Sequence, residues 1–376
     1  MSTLNVNTIN AATSGQAVAI DVQNPRSFRN LFINGAMQVA QRGTSSAVSG
    51  VTNGFGSVDR YYVGYTGVDE APTQEQADIS AGTTPYTLGF RKSLKITNGN
   101  QTGGADAGDY IFINMPQEAQ NLAQSGWNYT SSSSYVTLSF WIKSSVAQNF
   151  YFQFDVRDGT RQNYTMETGS LSANTWTKIT KVIPGNSNLT IDNDNGVGAY
   201  ITFGVFWGTD LTASMSLETW AAANDSIKTP DNTSTWYTTN DSTLEFTGVQ
   251  LEEGNVATDF EHRSYGDELA RCQRYFYKNT TAPSGMFITD NADSTLAYGT
   301  LNFPVTMRAA PTVVTSDNNG NKDGKVTQHG EAHNIAATPG QITPNGFCRL
   351  TRGSGNWSTN SARPIVAGIA SASAEL

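Results

Sequence analysis

The sequence predicts a mainly β protein: a jelly-roll-like β-sandwich, then a short linker helix, then a smaller C-terminal β domain. Three observations lead there. Only 15% of the 376 residues are charged, and the polar remainder is heavy in Ser, Thr, Asn, Gln and Gly, a mixture of strand and turn formers. Seven Trp, fifteen Tyr and seventeen Phe supply the large apolar side chains that a packed core needs and a disordered chain lacks. Apolar residues recur mostly in short alternating runs separated by Gly- and Asn-rich segments, the pattern of a sandwich or barrel. The length suits two to three domains.

Residues 1–28 form a small head piece. Leu4, Val6 and Ile9 alternate roughly, and an apolar run at 17–20 follows Gly15. This is too little to bury a core alone. It either orders against another chain or partner or frays as a terminus. Residues 29–262 form the sandwich, with strands expected at 60–65, 93–96, 110–114, 135–142, 150–156, 176–183, 199–207 and 244–251. About eight strands leave long loops, and 212–243, with Trp220 and Trp236, reads as an elaborated loop. Residues 263–278 form the linker. Ser264 is placed to cap a helix, with Asp267 and Glu268 in its first turn and Leu269, Cys272 and Phe276 along one face. That helix packs on a domain or meets its own copies about a symmetry axis. Residues 279–376 form the C-terminal β knob, with strands expected near 285–288, 295–303, 312–315, 346–350 and 364–372.

Charge and composition exclude several function classes. The net charge is −9 and the pI about 4.8, so the chain repels a phosphate backbone and no nucleic-acid partner is expected. No run of about 18 apolar residues is present, so no membrane insertion is expected. The opening MSTLNVNTI lacks the basic and apolar regions of a secretion signal. Cys272 and Cys348 are expected to be reduced thiols, since two cysteines make no disulfide framework and no C-x-x-C pair exists.

The sequence carries no recognisable catalytic motif. No G-x-S-x-G elbow, P-loop or dinucleotide fingerprint occurs. His329 and His333 flank Glu331, but this is not H-E-x-x-H, and the segment reads as solvated loop rather than a metal site. Asp192 and Asp194 with Gly196 resemble a calcium loop yet miss the EF-hand spacing, so a plain Asn/Asp/Gly turn is the preferred reading. No catalytic residue, metal or cofactor is expected. The tryptophans offer a different chemistry, because an exposed aromatic ring stacks on the apolar face of a sugar while Asn, Asp and Gln bond its hydroxyls. Trp141 and Trp176 lie in strand patterns, whereas Trp127, Trp220, Trp236 and Trp357 lie in polar, loop-like contexts. Ligand contact is expected in loops at sheet ends. The two candidate regions are Trp220, Trp236 and Tyr237 in the sandwich, and the knob around Trp357; packing within their own loops is the alternative for each.

Several segments resemble those of phage tail-fibre and receptor-binding virion proteins, with a carbohydrate-binding-module-like jelly roll and a C-terminal knob. They are MSTLNVNTI at 1–9, NLFINGAMQVAQRG at 30–43 followed by DRYYV at 59–63, TLSFWIK at 137–143 and TWTKIT at 175–180. FTGVQLEEGNVATDFE at 246–261, ELARCQRYF at 268–276 and FPVTMRAAPTV at 303–313 complete the set. The resemblance implies a homotrimeric appendage of the virion. Its N-terminus would join other tail or baseplate proteins, and its exposed end would attach the particle to host surface polysaccharide without catalysis. The alternatives are a purely architectural component (a head fibre or baseplate part) and a polysaccharide-degrading tailspike. The absence of a repeat of fixed period disfavours the β-helix that such tailspikes commonly use.

Overall fold

A computed structural model describes residues 29–278, 286–287, 290–291, 295–316, 324–328, 335–353, 365–366 and 368–376. The expected attachment segment 1–28, Trp357, His329 and His333 lie outside the described residues. The protein is mainly β. The first part carries eleven strands: β1 (Tyr62–Thr66), β2 (Thr73–Asp78), β3 (Lys92–Thr97), β4 (Tyr110–Glu118), β5 (Tyr135–Ser144), β6 (Tyr151–Val156), β7 (Gln162–Glu167), β8 (Thr177–Pro184), β9 (Val197–Trp207), β10 (Trp220–Ala222) and β11 (Thr243–Glu253). They form a six-stranded sheet, β1-β4-β9-β6-β7-β10, and a five-stranded sheet, β2-β3-β11-β5-β8, with every pairing antiparallel.

Alternation explains the core. Val136, Leu138, Phe140 and Ile142 of β5 face Phe152, Phe154 and Val156 of β6 and Ala199, Ile201 and Phe203 of β9, all within one buried cluster. Phe203 sits at its centre, edge-on to Phe246 at 4.6 Å and stacked on Phe152 at 5.9 Å. The expected strands are present, and three more join them. β2 (TQEQAD), β7 (QNYTME) and the short β10 carry too few apolar residues to announce themselves, yet they pair in register. The presumed loop 212–243 therefore contains a strand, and also a helical turn at Thr235–Thr238.

The five-stranded sheet is extended along one edge and covered over part of its outer face, while Lys178, Thr180 and Val182 of β8 stay exposed. A bulge in β11 between Thr247 and Gln250 holds Gly248 at φ +64° and lets the segment 30–37 dock alongside. Asn30 Nδ2 donates to the Val249 carbonyl, the Val249 N–H donates to Gly35, and the Leu251 N–H donates to Asn30 Oδ1. A Cβ on Gly35 would lie 2.1 Å from the Val249 oxygen, so only glycine allows this approach. Phe90, Phe260, Trp141 and Trp176 cover more of the same face.

The linker helix runs Tyr265–Gln273 and is capped by Ser264, whose side chain accepts the Asp267 N–H. The face it buries differs from the expected one. Glu268 and Cys272 are buried, Leu269 is half-buried, and Phe276 lies beyond the helix on β12 (Phe276–Lys278). The Glu268 carboxylate accepts the buried Asn34 N–H at 2.5 Å, so a polar anchor holds the position.

The C-terminal part adds β13 (Met286–Phe287), β14 (Asp290–Asn291), β15 (Leu296–Asn302), β16 (Thr312–Ser316), β17 (Lys325–Gln328), β18 (Ile335–Thr343), β19 (Gly346–Arg352), β20 (Ile365–Val366) and β21 (Gly368–Ser373). These make a three-stranded sheet, β12-β21-β16, and a seven-stranded sheet, β13-β20-β17-β18-β19-β15-β14. A separate cluster that includes Met307, Val326, Phe347 and Leu350 forms their core. Among the described residues no helix is long and apolar enough to cross a membrane.

Candidate functional site

The outer face of the six-stranded sheet carries an open cleft. Strand registers set its rows. Tyr62, Asn114, Thr202, Gln153 and Thr165 are successive partners across β1, β4, β9, β6 and β7. The next row is Gly64, Phe112, Gly204 and Tyr151. On the other side, Asp155 pairs with both Tyr200 and Asn163. At roughly 4.8 Å between strands, a polar track thus crosses the sheet between aromatic rings.

The two glycines make the aromatic floor. A Cβ on Gly64 would lie 2.3 Å from the Phe112 ring, and one on Gly204 would lie 2.1 Å from Trp207 Nε1. Both rings therefore lie flat over strand backbone. Phe112 stacks on Trp207 at 5.6 Å and 10°, and on Tyr62 at 6.1 Å and 19°, while Tyr110 leans on Trp207 at 5.5 Å. Trp207 owes its position to a bulge. The register of β9 shifts between its Gly204 and Phe206 pairings, so Phe206 enters the core and Trp207 lines the outer face. The Trp207 ring is only 6% exposed and backs the floor, whereas Tyr110, Phe112 and Tyr200 are half-exposed.

These residues line a cleft of about 500 Å³, with Asn114, Thr202, Gln153, Asp155 and Arg157 along it and Arg161, Leu211, Asp225 and Lys228 forming a wall. Several polar groups already have partners. Thr202 Oγ1 donates to Asn114 Oδ1 at 2.7 Å, and Gln153 Nε2 donates to Thr165 Oγ1 and to the Lys228 carbonyl. The amide N–H groups of Asn114 and the Oε1 of Gln153 make no hydrogen bond to the described residues. The half-buried Asn114 offers its amide to a ligand, while Gln153, 3% exposed, lies at the bottom of the cleft.

The wall is an ion-pair network. Arg161 grips Asp155 with Nε and Nη2, each at 2.7 Å, and reaches Asp225 with Nη1 at 2.5 Å. Lys228 Nζ donates to the same Asp225 oxygen at 2.7 Å. The hydrogen bond to Asp155, opposed by burial, raises the Arg161 pKa further, and Lys228 with Arg161 lowers that of Asp225 to about 2. The cleft therefore offers ring faces, amide and hydroxyl groups, and fixed charges of both signs.

The structure moves the sequence-derived candidates elsewhere. Trp236 and Tyr237 are 0% and 1% exposed and plug one end of the core. Trp236 Nε1 donates to the Thr243 carbonyl at 3.0 Å. The Tyr237 ring stacks on Phe206 at 4.2 Å, and its hydroxyl donates to Asp109 at 2.9 Å. Trp220 is half-buried on β10 against Tyr164 and Phe154, and its Nε1 donates to Pro184 of the opposite sheet at 2.7 Å. Trp127, expected in a loop, packs on Phe154 in the core. A polar local sequence does not prevent burial when the indole N–H finds a carbonyl.

The cleft residues were missed because outward-facing Asn, Thr and Gln on a strand look like an ordinary solvated face. Two signals were legible: aromatic residues at both 110 and 112 on the polar parity of β4, and mid-strand glycines at 64 and 204. At the calcium-like segment, Asp194 accepts the Gly196 N–H at 2.8 Å and the Asp192 N–H donates to Asp158 at 2.9 Å. Among the described residues no group of three or more His, Cys, Asp or Glu is placed to hold a metal. Cys272 and Cys348 are free thiols.

No protein-family model matches the chain, and no curated protein sequence matches it. Solved structures do. The fold is similar to that of the enzymatically active domain of bacteriophage CBA120 tailspike protein 4, with 13% identity and a TM-score of 0.34 over 60% of this chain and 22% of that one. The chain thus spans about a fifth of the tailspike's length. It is similar to the N-terminal cellulose-binding domain of Cellulomonas fimi β-1,4-glucanase C, with 10% identity and a TM-score of 0.27 over 58% of this chain and 99% of that one. It is also similar to a family 11 carbohydrate-binding module of a Clostridium thermocellum cellulosomal cellulase, with 13% identity and a TM-score of 0.25 over 56% and 95%.

Proposed function

We propose that the cleft on the six-stranded sheet binds a surface glycan, and that the protein serves as a non-catalytic, receptor-binding component of a virion. One observation carries the glycan reading: the half-exposed rings of Tyr110 and Phe112 flank a hydrogen-bonding row of Asn114, Thr202 and Gln153 in an open cleft of about 500 Å³. Sugars present apolar ring faces and hydroxyl edges together, and this floor answers both. The engagement of Asp155 and Asp225 in ion pairs supports binding rather than acid–base chemistry. The virion role is supported by the sequence segments that resemble tail-fibre proteins.

The test is a glycan array on the full chain, followed by titration of a bound oligosaccharide. Phe112→Ala is expected to weaken binding about five- to tenfold, the equivalent of about 1 kcal/mol for one stacked ring. Asn114→Ala is expected to cost about threefold to tenfold for a lost hydrogen bond. Thermal melts establish that both variants fold. Wild-type affinity in both would place glycan binding outside the cleft, and an array with no bound glycan would favour an architectural component. The appendage reading also expects a trimer, and a monomer by light scattering at micromolar concentration would overturn that part.

A further inference from the structure

The wall of the cleft carries a charge pattern that the need to bind a sugar does not explain. Three cations, Arg157, Arg161 and Lys228, face two carboxylates, Asp155 and Asp225, in a chain whose net charge is −9. Arg161 spends its Nε, Nη1 and Nη2 on Asp155 and Asp225, and Lys228 is held by Asp225. Arg157 differs. It follows directly on β6, its side chain is 38% exposed, and among the described residues its side chain makes one hydrogen bond, from Nη1 to Asp155 Oδ2 at 3.0 Å. That same oxygen already accepts Arg161 Nη2 at 2.7 Å. The Nε and Nη2 of Arg157 make no hydrogen bond to the described residues. Its guanidinium carbon lies 5.2 Å from the centre of the Tyr200 ring, which steadies it at the cleft.

We infer that Arg157 makes this site selective for acidic glycans, binding an anionic substituent of the sugar beside the aromatic floor. The inference rests on the glycan reading of the cleft. A guanidinium whose Nε–H and Nη2–H form one open edge matches the geometry of a carboxylate or an oxyanion ester, and Asp155, neutralised by Arg161, does not repel the incoming charge. The polar track then leads from this anion site past Gln153, Thr202 and Asn114, so the acidic substituent fixes which way along the sheet the chain lies.

The experiment measures binding of the full-length protein to polygalacturonate, dextran sulfate and neutral dextran and galactan by affinity electrophoresis at two salt concentrations. Acidic polymers are expected to bind more tightly than neutral ones and to weaken as salt rises. Arg157→Gln is expected to lower the ratio of acidic to neutral affinity about tenfold. Tight binding of polygalacturonate alone assigns a carboxylate, and equal binding of dextran sulfate assigns anionic groups generally. Either outcome supports the inference. Neutral polymers bound as tightly as acidic ones, with Phe112→Ala weakening both, would overturn the acidic preference and leave the glycan reading standing. An unchanged ratio in Arg157→Gln would overturn the role of that residue. If no polysaccharide binds, the glycan reading falls and this inference with it.

Discussion

Aromatic residues in this protein divide by what lies beneath them. Trp236 has neighbours on every side, a carbonyl for its Nε1, and a backbone N–H that donates to Gln148 Oε1 at 2.9 Å. Phe112 rests on a glycine and keeps one face toward the cleft. The same chemical type therefore supports the fold in one place and recognition in the other. Truncating a fully buried large aromatic removes transfer free energy and leaves a cavity. Trp236→Ala is expected to destabilise the fold by about 3–5 kcal/mol, read as a shift in urea midpoint at unchanged slope. A shift under about 1 kcal/mol would show that this end of the sandwich packs differently.

At the scale of elements, the linker helix and the end of β4 are joined by a buried ionic cluster. Glu118 accepts from Arg274 Nε and Nη2 at 3.0 and 2.6 Å and from the Tyr275 hydroxyl at 2.5 Å. Burial raises its pKa, but the Arg274 and Tyr275 hydrogen bonds outweigh burial and hold it below the ordinary 4.5. A depressed carboxylate stabilises the fold above its unfolded value, and the gain is lost as pH falls through the folded one. Glu118→Gln is expected to cost about 1–3 kcal/mol at pH 7, discounted because Arg274 is 30% exposed, and to flatten the acid limb of the stability curve below about pH 4.5. An acid limb unchanged by the substitution would remove Glu118 from that role.

At the scale of the whole molecule, the last residues of the chain lie between its two parts. Glu375 pairs with Arg42 at 3.0 Å and with Arg60, while Arg308 donates to the Ala374 and Glu375 carbonyls and, through Nη1, to Asn195 of the sandwich at 2.6 Å. Arg42 and Arg60 also stack on Phe276 and Tyr275 at 3.5 and 3.6 Å. Asp59 is buried in this joint. Its burial raises its pKa from 3.8 to about 6 against the pull of Arg42 and Gln41, and the charge of Glu375 raises it further. The sign is opposite to that of Glu118. Between about 4 and 6 the folded chain holds a proton that the unfolded chain has released, so this group favours the fold as pH falls through 6. Taken together, these two groups favour the fold at mildly acid pH. Urea midpoints followed from pH 8 to 5 are expected to rise in the wild type, and Asp59→Asn is expected to remove the part of that rise due to this group. An identical profile in the variant would contradict it.

The amino-acid sequence by itself determined the fold class, most of the strands and the helix cap, because each depends on local periodicity or on a side chain within reach of its own backbone. Val136, Leu138, Phe140 and Ile142 show which face of β5 is buried, and Ser264 with Asp267 marks the start of the helix. Strands β2 and β7 stayed hidden because their pairing, not their own hydrophobicity, makes them strands. The cleft depended wholly on tertiary structure. Asn114, Thr202 and Gln153 are about 40 to 90 residues apart in the chain and become neighbours only through strand register. Simple alternation from Phe203 would turn Trp207 inward, and it is the bulge, invisible to periodicity, that turns it out. Trp220, Trp236 and Tyr237 show the converse: their polar surroundings suggested exposure, and hydrogen-bond partners at Pro184, Thr243 and Asp109, set by the folding of the chain around them, made burial favourable. Local pattern reports what a segment can bury, whereas the arrangement of segments decides which open face is left for a ligand.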